Sequence, residues 1–240
     1  MISVCIATYN GEKYIHKQLK SIIDQIGIND EIIISDDSSN DATVPIIKSF
    51  HDKRIVLLES NKFKSPVFNI ENALKKASGD VIFLADQDDI WLPHKISLTM
   101  PFFNIYDVVV CNGFIVDQYE NIIKESYFSW RKSGHGFVKN LYKNTYLGCA
   151  MAFNRKILNK AIPFPKKIAM HDIWIGLIAE VYGKSYFMEE SLFQYRRHNN
   201  NYTYSFEIND KNPSKNSLVF KFKYRFYFLY YLFRRIIFNK

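Results

Sequence analysis

FLADQDDIWLPHKI (residues 83–96) joins the end of an apolar run to three closely spaced carboxylates. The run itself is Val81-Ile82-Phe83-Leu84-Ala85, apolar at every position. That pattern reads as a strand covered on both faces, as in a parallel sheet with helices on each side. Asp86, Asp88 and Asp89 follow at its carboxyl end, where like charges repel and burial makes the repulsion worse. Water, a basic neighbour or a divalent cation would relieve them. The apolar Ile90-Trp91-Leu92-Pro93 beyond them is an anchor that a merely solvated turn does not need. The cation is therefore favoured over a helix cap or an open turn.

Outward from this stretch the chain alternates between two periods. Residues 2–6, 31–35, 55–58 and 108–111 read as further strands. Between them Ile15, Leu19, Ile22, Ile23 and Ile26 recur at helical spacing. A helix capped near Asp41 is expected to bury Val44, Ile47 and Phe50. Another opens at Ser65-Pro66, with Pro66 in the first helical position and Gly79 just past its end. One more starts near Pro93. The pattern predicts an α/β protein with a Rossmann-like, mainly parallel sheet flanked by helices. The second half is less regular: 118–145 carries few signals, 146–153 reads as a strand and 172–182 as a helix. Residues 1–210 are expected to form one domain, followed by a separate tail at 211–240.

Composition narrows the class. The 240 residues are 48% hydrophobic, with three cysteines far apart in apolar runs, which suits reduced, buried thiols in a cytosolic protein. No basic region precedes the first strand, so no signal peptide is expected. No run is apolar and long enough to span a bilayer. The net charge of +8 belongs to residues 211–240, which hold eight basic residues and no acidic one; the body has 24 of each sign.

Ligands of open parallel sheets bind beyond the carboxyl ends of the strands. Thr8-Tyr9-Asn10-Gly11, Asp36-Asp37 and Asp86 to Asp89 all fall there. The last supplies hard oxygen ligands suited to Mg²⁺ or Mn²⁺. Asp36-Asp37 fits either an Asx turn capping the next helix or a carboxylate that accepts hydrogen bonds from a nucleotide base.

SVCIATYNG, IIISDDSSNDAT, LADQDDIWLPHKI, GCAMAFNRKIL, HDIWIGLIAE and YRRHNNNYT occur in that order between residues 3 and 203. Together they resemble a family 2 glycosyltransferase of GT-A fold, similar to the bacterial rhamnosyl- and glucosyltransferases of surface-polysaccharide (O antigen or capsule) assembly. The resemblance implies an inverting, metal-dependent transfer from a nucleoside-diphosphate sugar, dTDP-rhamnose or a UDP-hexose, to a saccharide hydroxyl. It implies that Ala7, Thr8, Tyr9 and Asp37 hold the base, with Asp36 supporting their turn. Asp86 and Asp88 become the D-x-D that binds ribose and metal, Asp88 being the firmer ligand. Asp172 becomes the catalytic base, although many relatives carry Glu-Asp where this chain has His171-Asp172. His198 becomes a third metal ligand or a phosphate contact beside Arg196 or Arg197. The donor and acceptor pocket is assigned Asp89, Trp91, His171, Trp174, Arg196 and Arg197, with Trp174 stacking on the acceptor sugar. Asp172 as a simple helix cap is the plain alternative.

Two other enzyme classes fit worse. A phosphatase would place its D-x-D after the first strand, and a nucleotidyltransferase would need a glycine-rich basic loop there. An inactive, nucleotide-binding scaffold of a polysaccharide assembly complex is the remaining alternative.

Residues 217–240 combine ten aromatic and six basic residues. Rings and cations together favour an anionic membrane surface, which predicts a peripheral protein on the inner face of the bacterial cytoplasmic membrane, beside a lipid-linked acceptor. The neutral body argues against nucleic acid as a partner. Packing of the tail on the body, or dimerisation through it, is the plainer expectation.

Overall fold

The structure is a computed structural model that describes residues 1–168, 170–198 and 218–238. Its first half follows the expected alternation. β1 (Ile2–Thr8), α1 (Ile15–Ile23), β2 (Glu31–Asp36), α2 (Thr43–Ser49), β3 (Ile55–Leu58), α3 (Pro66–Lys76) and β4 (Val81–Asp86) succeed one another. In α1 the apolar spacing buries Ile15, Leu19 and Ile22 on one face. In α2 only Thr43 and Ile47 are fully buried, and Val44 and Phe50 are half-buried. Pro66 opens α3 as expected, but the Ser65 side chain makes no capping bond.

After β4 come β5 (Ile90–Trp91), α4 (Lys95–Thr99), β6 (Val108–Val116), β7 (Ile122–Lys124), α5 (Tyr127–Arg131) and α6 (Phe137–Tyr142). Then follow β8 (Met151–Asn154), α7 (Arg155–Ala161), α8 (His171–Tyr182), β9 (Ser185–Arg196) and α9 (Leu218–Phe238). The expected strand at 146–153 is instead a 3-10 turn at Gly148–Ala150 leading into the shorter β8.

The sheet runs β3-β2-β1-β4-β8-β6-β9-β5, with β7 on β6. β1, β2, β3 and β4 are mutually parallel, whereas β8 is antiparallel to both its neighbours. Four strand spacings separate β4 from β5 in this order, about 19 Å in a flat sheet. The chain from Asp86 to Ile90 can reach only about 14 Å. The sheet must therefore curl, and the Asp86–Asp89 link is what closes the curl. The register sets Ala7 beside Asp86 and Thr8 beside Asp36, so three strand ends finish level.

β9 is a strand that the sequence reading did not anticipate. Its pairing with β6 slips between Cys111↔Met188 and Asn112↔Ser191, and the two skipped residues, Glu189 and Glu190, point to solvent. The slip breaks the alternation that would have marked the strand.

α9 lies against the body. Phe228 and Leu232 are buried, and the Phe228 ring stacks on Trp174 with centroids 6.5 Å apart. Arg235 donates to the carbonyls of Ile162 and Pro163, and Arg225 to those of Leu141 and Tyr142. Among the described residues no helix is long and apolar enough to cross a membrane. Cys5, Cys111 and Cys149 are buried free thiols.

Candidate active site

Asp36 is buried and fully committed. Its Oδ2 accepts from Thr8 Oγ1 (2.8 Å) and Ser39 Oγ, and its Oδ1 from Ser39 N (2.8 Å). This is an Asx-type turn, and it shapes the loop instead of facing a ligand. Asp37 is half-buried; its Oδ1 accepts from Phe63 N at 2.6 Å. Tyr9, just beyond β1, is 56% exposed. A cavity of about 430 Å³ opens beside it, lined among others by Lys13, Tyr14, Asn40, Gln87 and His198.

The carboxylates at the end of β4 occupy different levels. Asp89 is buried: Oδ1 accepts from Arg196 N at 2.9 Å, while Oδ2 has no hydrogen-bond partner among the described residues. Asp89 thus cannot line an open sugar pocket; it lies beneath the loop, because β5 and β9 close over it. The Cys149 thiol stands within 4.8 Å of carboxylate oxygens of both Asp86 and Asp89. Burial raises the Asp86 pKa to about 7, and the charges of Asp88 and Asp172 push it further in the same direction. Asp89 is raised well above the usual range, again by burial first and by Asp88 and Asp86 next. Asp88 Oδ2 lies 2.8 Å from His198 Nε2, which brings together two residues 110 positions apart in sequence.

Such a set fits a divalent cation. One carboxylate oxygen is buried without a hydrogen-bond partner, two neighbouring carboxyls are held back from ionising by burial and by the acidic groups beside them, and the donors are hard oxygens. Asp86 and Asp88 would hold the ion, with Asp89 and His198 beside them.

Lys95 was not foreseen. It is buried, donates to Cys149 O at 2.9 Å, and places its Nζ 4.4 Å and 4.7 Å from the ring centres of Trp91 and Phe193. Its charge offsets part of the repulsion at Asp86. A lysine in the first turn of a helix opening at Pro93 looks solvent-facing in sequence; only the curl of the sheet encloses it.

Asp172 lies in the first turn of α8, whose cap position is Met170. It is therefore not the cap. Asp172 is buried, Oδ1 accepts from Ile173 N at 2.7 Å, and Oδ2 meets Asn144 Nδ2 at 3.4 Å. Burial raises its pKa to about 6, against the opposing pull of the Ile173 N–H and the Arg131 charge. Asn144 and Arg131 come from the signal-poor stretch 118–145 and were not anticipated. His171 is half-buried beside Gly148, and burial lowers its pKa to about 4, so it is neutral at pH 7.

Besides Asp89, three more pocket assignments are corrected. Trp174 is fully buried, donates to Ala161 O at 2.8 Å and packs under α9, turned away from the crevice. Trp91 is buried under Lys95 and acts as the anchor of the acidic loop. Arg196 is 2% exposed, with its guanidinium on Asp88 O, Gln118 O and the Glu120 carboxylate, so it braces the loop instead of lining a pocket. Its guanidinium also lies 5.1 Å from the ring centre of Tyr14, which stacks on His198. Arg197 is half-buried and its guanidinium meets Tyr195 Oη at 3.4 Å.

A sequence model of glycosyl transferase family 2 matches residues 3–162, two thirds of the chain, including the ends of β1, β2 and β4 but neither Asp172 nor His198. The chain belongs to glycosyltransferase family 2. Among curated relatives, the dTDP-rhamnosyl transferase RfbG of Shigella flexneri is 31% identical over 221 residues, covering 82% of this chain and 72% of its own. The UDP-Glc:alpha-D-GlcNAc-diphosphoundecaprenol beta-1,3-glucosyltransferase WfgD of Escherichia coli is 28% identical over 183 residues, 75% of this chain and 70% of its own. The fold is GT-A: S. aureus TarS residues 1–349 in complex with UDP-GlcNAc superimposes with a TM-score of 0.70 at 18% identity, covering 95% of this chain and 71% of TarS. Without ligand, the same TarS fragment is covered to 60%. The mannosyltransferase PcManGT of Pyrobaculum calidifontis in complex with GDP-Man and Mn²⁺ gives a TM-score of 0.61 at 18% identity, over 85% of this chain and 58% of that one. Membership of the family accounts for the position of the crevice; the identity of the sugar is a separate matter.

Proposed function

We propose that the protein transfers a sugar, with inversion, from a nucleoside diphosphate to a hydroxyl of a lipid-linked saccharide in surface-polysaccharide synthesis. One observation carries the reading: Asp172, from the N-terminus of α8, lies close enough to the acidic loop after β4 for its charge to act on Asp86. A base and a diphosphate site must face each other across one crevice for direct displacement. The names of the relatives support a dTDP-rhamnose or UDP-hexose donor and an undecaprenyl-diphosphate-linked acceptor.

Asp172 is ionised at neutral pH and takes the proton of the attacking hydroxyl. Arg131 and Asn144 steady its charge. Tyr9 and Asp37 hold the base, and Asp86 reaches the ribose. A Mg²⁺ or Mn²⁺ held by Asp86 and Asp88 would neutralise the diphosphate leaving group. His198, paired with Asp88, and Lys13 offer further contacts to phosphate at the cavity.

The tail is assigned to the anionic inner leaflet. Phe226, Leu229, Tyr230, Phe233, Ile236 and Ile237 form an outward stripe on α9, between 43% and 67% exposed, in a segment with no acidic residue. An apolar stripe of this kind with basic flanks suits peripheral seating on lipid headgroups.

Calorimetric titration with UDP, dTDP and GDP, each with and without Mn²⁺, tests the reading on the wild type and on Asp88→Asn. Metal-dependent binding of one nucleotide, lost in the variant, is expected. No binding, or binding indifferent to both metal and Asp88, would leave the inactive-scaffold alternative standing instead.

A further inference from the structure

Gln87 stands between the two carboxylates of the D-x-D, and its side chain turns away from both. Its Oε1 accepts from Tyr9 N at 2.9 Å and its Nε2 donates to Tyr9 O at 3.1 Å. Both polar atoms of the amide are thus spent on one residue's backbone. The β1–β4 ladder ends at Ala7↔Asp86, and the Gln87 amide continues it past the last backbone pair, doing for Tyr9 what a strand neighbour would do. Tyr9 has little else to fix it: its ring is mostly exposed, and the next residue, Asn10, leaves in a left-handed conformation with φ 49°.

Gly11 shows that room for this contact is built in. A Cβ at position 11 would lie 2.4 Å from Gln87 Oε1 and 2.7 Å from its Cδ. Gly11 is not in the left-handed region, so its backbone suits any residue. Its N–H bond to Thr43 Oγ1, at 2.7 Å, would survive in an alanine. The three atoms that a Cβ there would meet first all belong to the glutamine amide.

We propose that Gln87 is a positioning residue that clamps the Tyr9 peptide and so couples the loop holding the nucleotide base to the loop carrying the metal-binding carboxylates, with Gly11 left bare to admit it. The proposal rests on the glycosyltransferase reading and deepens it. An acceptor and a donor are both needed. Glutamate lacks the donor for Tyr9 O, and asparagine is a methylene too short. Either loop moving alone would break two hydrogen bonds, so nucleotide and metal sites shift together or not at all.

The test is calorimetry on the full chain with UDP and dTDP plus Mn²⁺, and with UMP and dTMP without metal. The variants are Gln87→Ala, Gln87→Glu, Gly11→Ala and the Gly11→Ala/Gln87→Ala double. Gln87→Ala is expected to weaken binding of the recognised nucleotide about tenfold, the scale seen when a supporting hydrogen-bond partner is removed. The metal-free monophosphate should lose affinity too, because the clamp acts on the base side. Gln87→Glu should not rescue. Gly11→Ala should reproduce the loss by expelling the amide, and the double variant should be no worse than either single, since both remove one interaction. In turnover, the donor KM should rise with kcat largely kept. Unchanged melting temperatures would show that the variants are folded. Wild-type affinity in Gln87→Ala, or additive losses in the double, would overturn the clamp while leaving the glycosyltransferase reading intact. A wild type that binds none of the nucleotides would remove both.

Discussion

Asp172 carries a charge where burial disfavours one, and that conflict has two measurable consequences. Its pKa is raised from the usual carboxylate value to about 6. As a base it must be ionised, so kcat/KM should fall tenfold per pH unit below about 6 and level off above. A flat profile between pH 5 and 8 would remove Asp172 from the role. Asp172→Asn should keep nucleotide affinity while turnover drops by roughly 10²- to 10⁴-fold. The sign for stability is opposite. A raised native pKa means a contribution fully present below the unfolded value and lost as pH rises through about 6. Asp172→Asn should therefore melt higher than wild type at pH 8 and match it near pH 4, a gain of at most roughly 3 kcal/mol. Lys95 argues the other way: it is buried between two rings with its Nζ on Cys149 O. Lys95→Ala should cost about 3 kcal/mol by urea denaturation, since it leaves a cavity and an uncompensated acidic cluster. Both residues were printed in the sequence, but only Asp172 was readable, because a motif marks it. Lys95 and Gln87 gain their meaning from neighbours supplied by the turn before β8, by β5 and β9, and by the loop after β1, and no local pattern reports that convergence.

At the scale of elements, legibility followed burial pattern. β1, β2 and β4 announce themselves as continuous apolar runs because helices cover both faces. β9 did not, because Glu189-Glu190 fill its bulge with exposed charge. α8 was found, but the direction of Trp174 was misread. DIWIGLIAEVY is apolar nearly all round, the mark of a helix enclosed on every side; α6 and α7 pack against it, and α9 covers Trp174. The tail helix thus has a packed face and an exposed one. Phe228, Leu232 and Arg235 face inward; Phe226, Tyr230, Phe233 and Ile237 face outward at the same helical spacing. Substitutions should separate them. Phe228→Ala should cost about 3 kcal/mol of stability by opening a cavity against Trp174. Phe233→Ser with Ile237→Ser should leave the melting temperature within a degree or two, yet release the protein from vesicles containing anionic lipid. Unchanged sedimentation with such vesicles would reject the membrane assignment, and a shift from dimer to monomer in the same variant would reassign the stripe to a second copy of this chain.

Across the whole molecule, the curl of the sheet is the device that makes the site. It returns β5 and β9 to the end of β4, places His198 on Asp88, and encloses Asp89 and Lys95. The cost is a set of carboxylates gathered in low dielectric, with Asp86 raised to about 7 and Asp89 raised well above the usual carboxylate range. In the metal-free protein these groups favour protonation on folding, so their contribution is full below the unfolded carboxylate range and drains away as pH rises through 7. Thermal stability of the chelated protein should accordingly decline from pH 5.5 to pH 8. A divalent cation reverses the balance, because the ionised carboxylates become its ligands and binding to the native state adds stability by mass action. Saturating Mn²⁺ should thus raise the melting temperature more at pH 8 than at pH 5.5, and Asp88→Asn should lose most of that increment. Equal shifts at both pH values would mean that the ion binds elsewhere. The acidic loop would then be a buried proton store closing the curl, and the carboxylates at 86–89 would need another explanation than a metal.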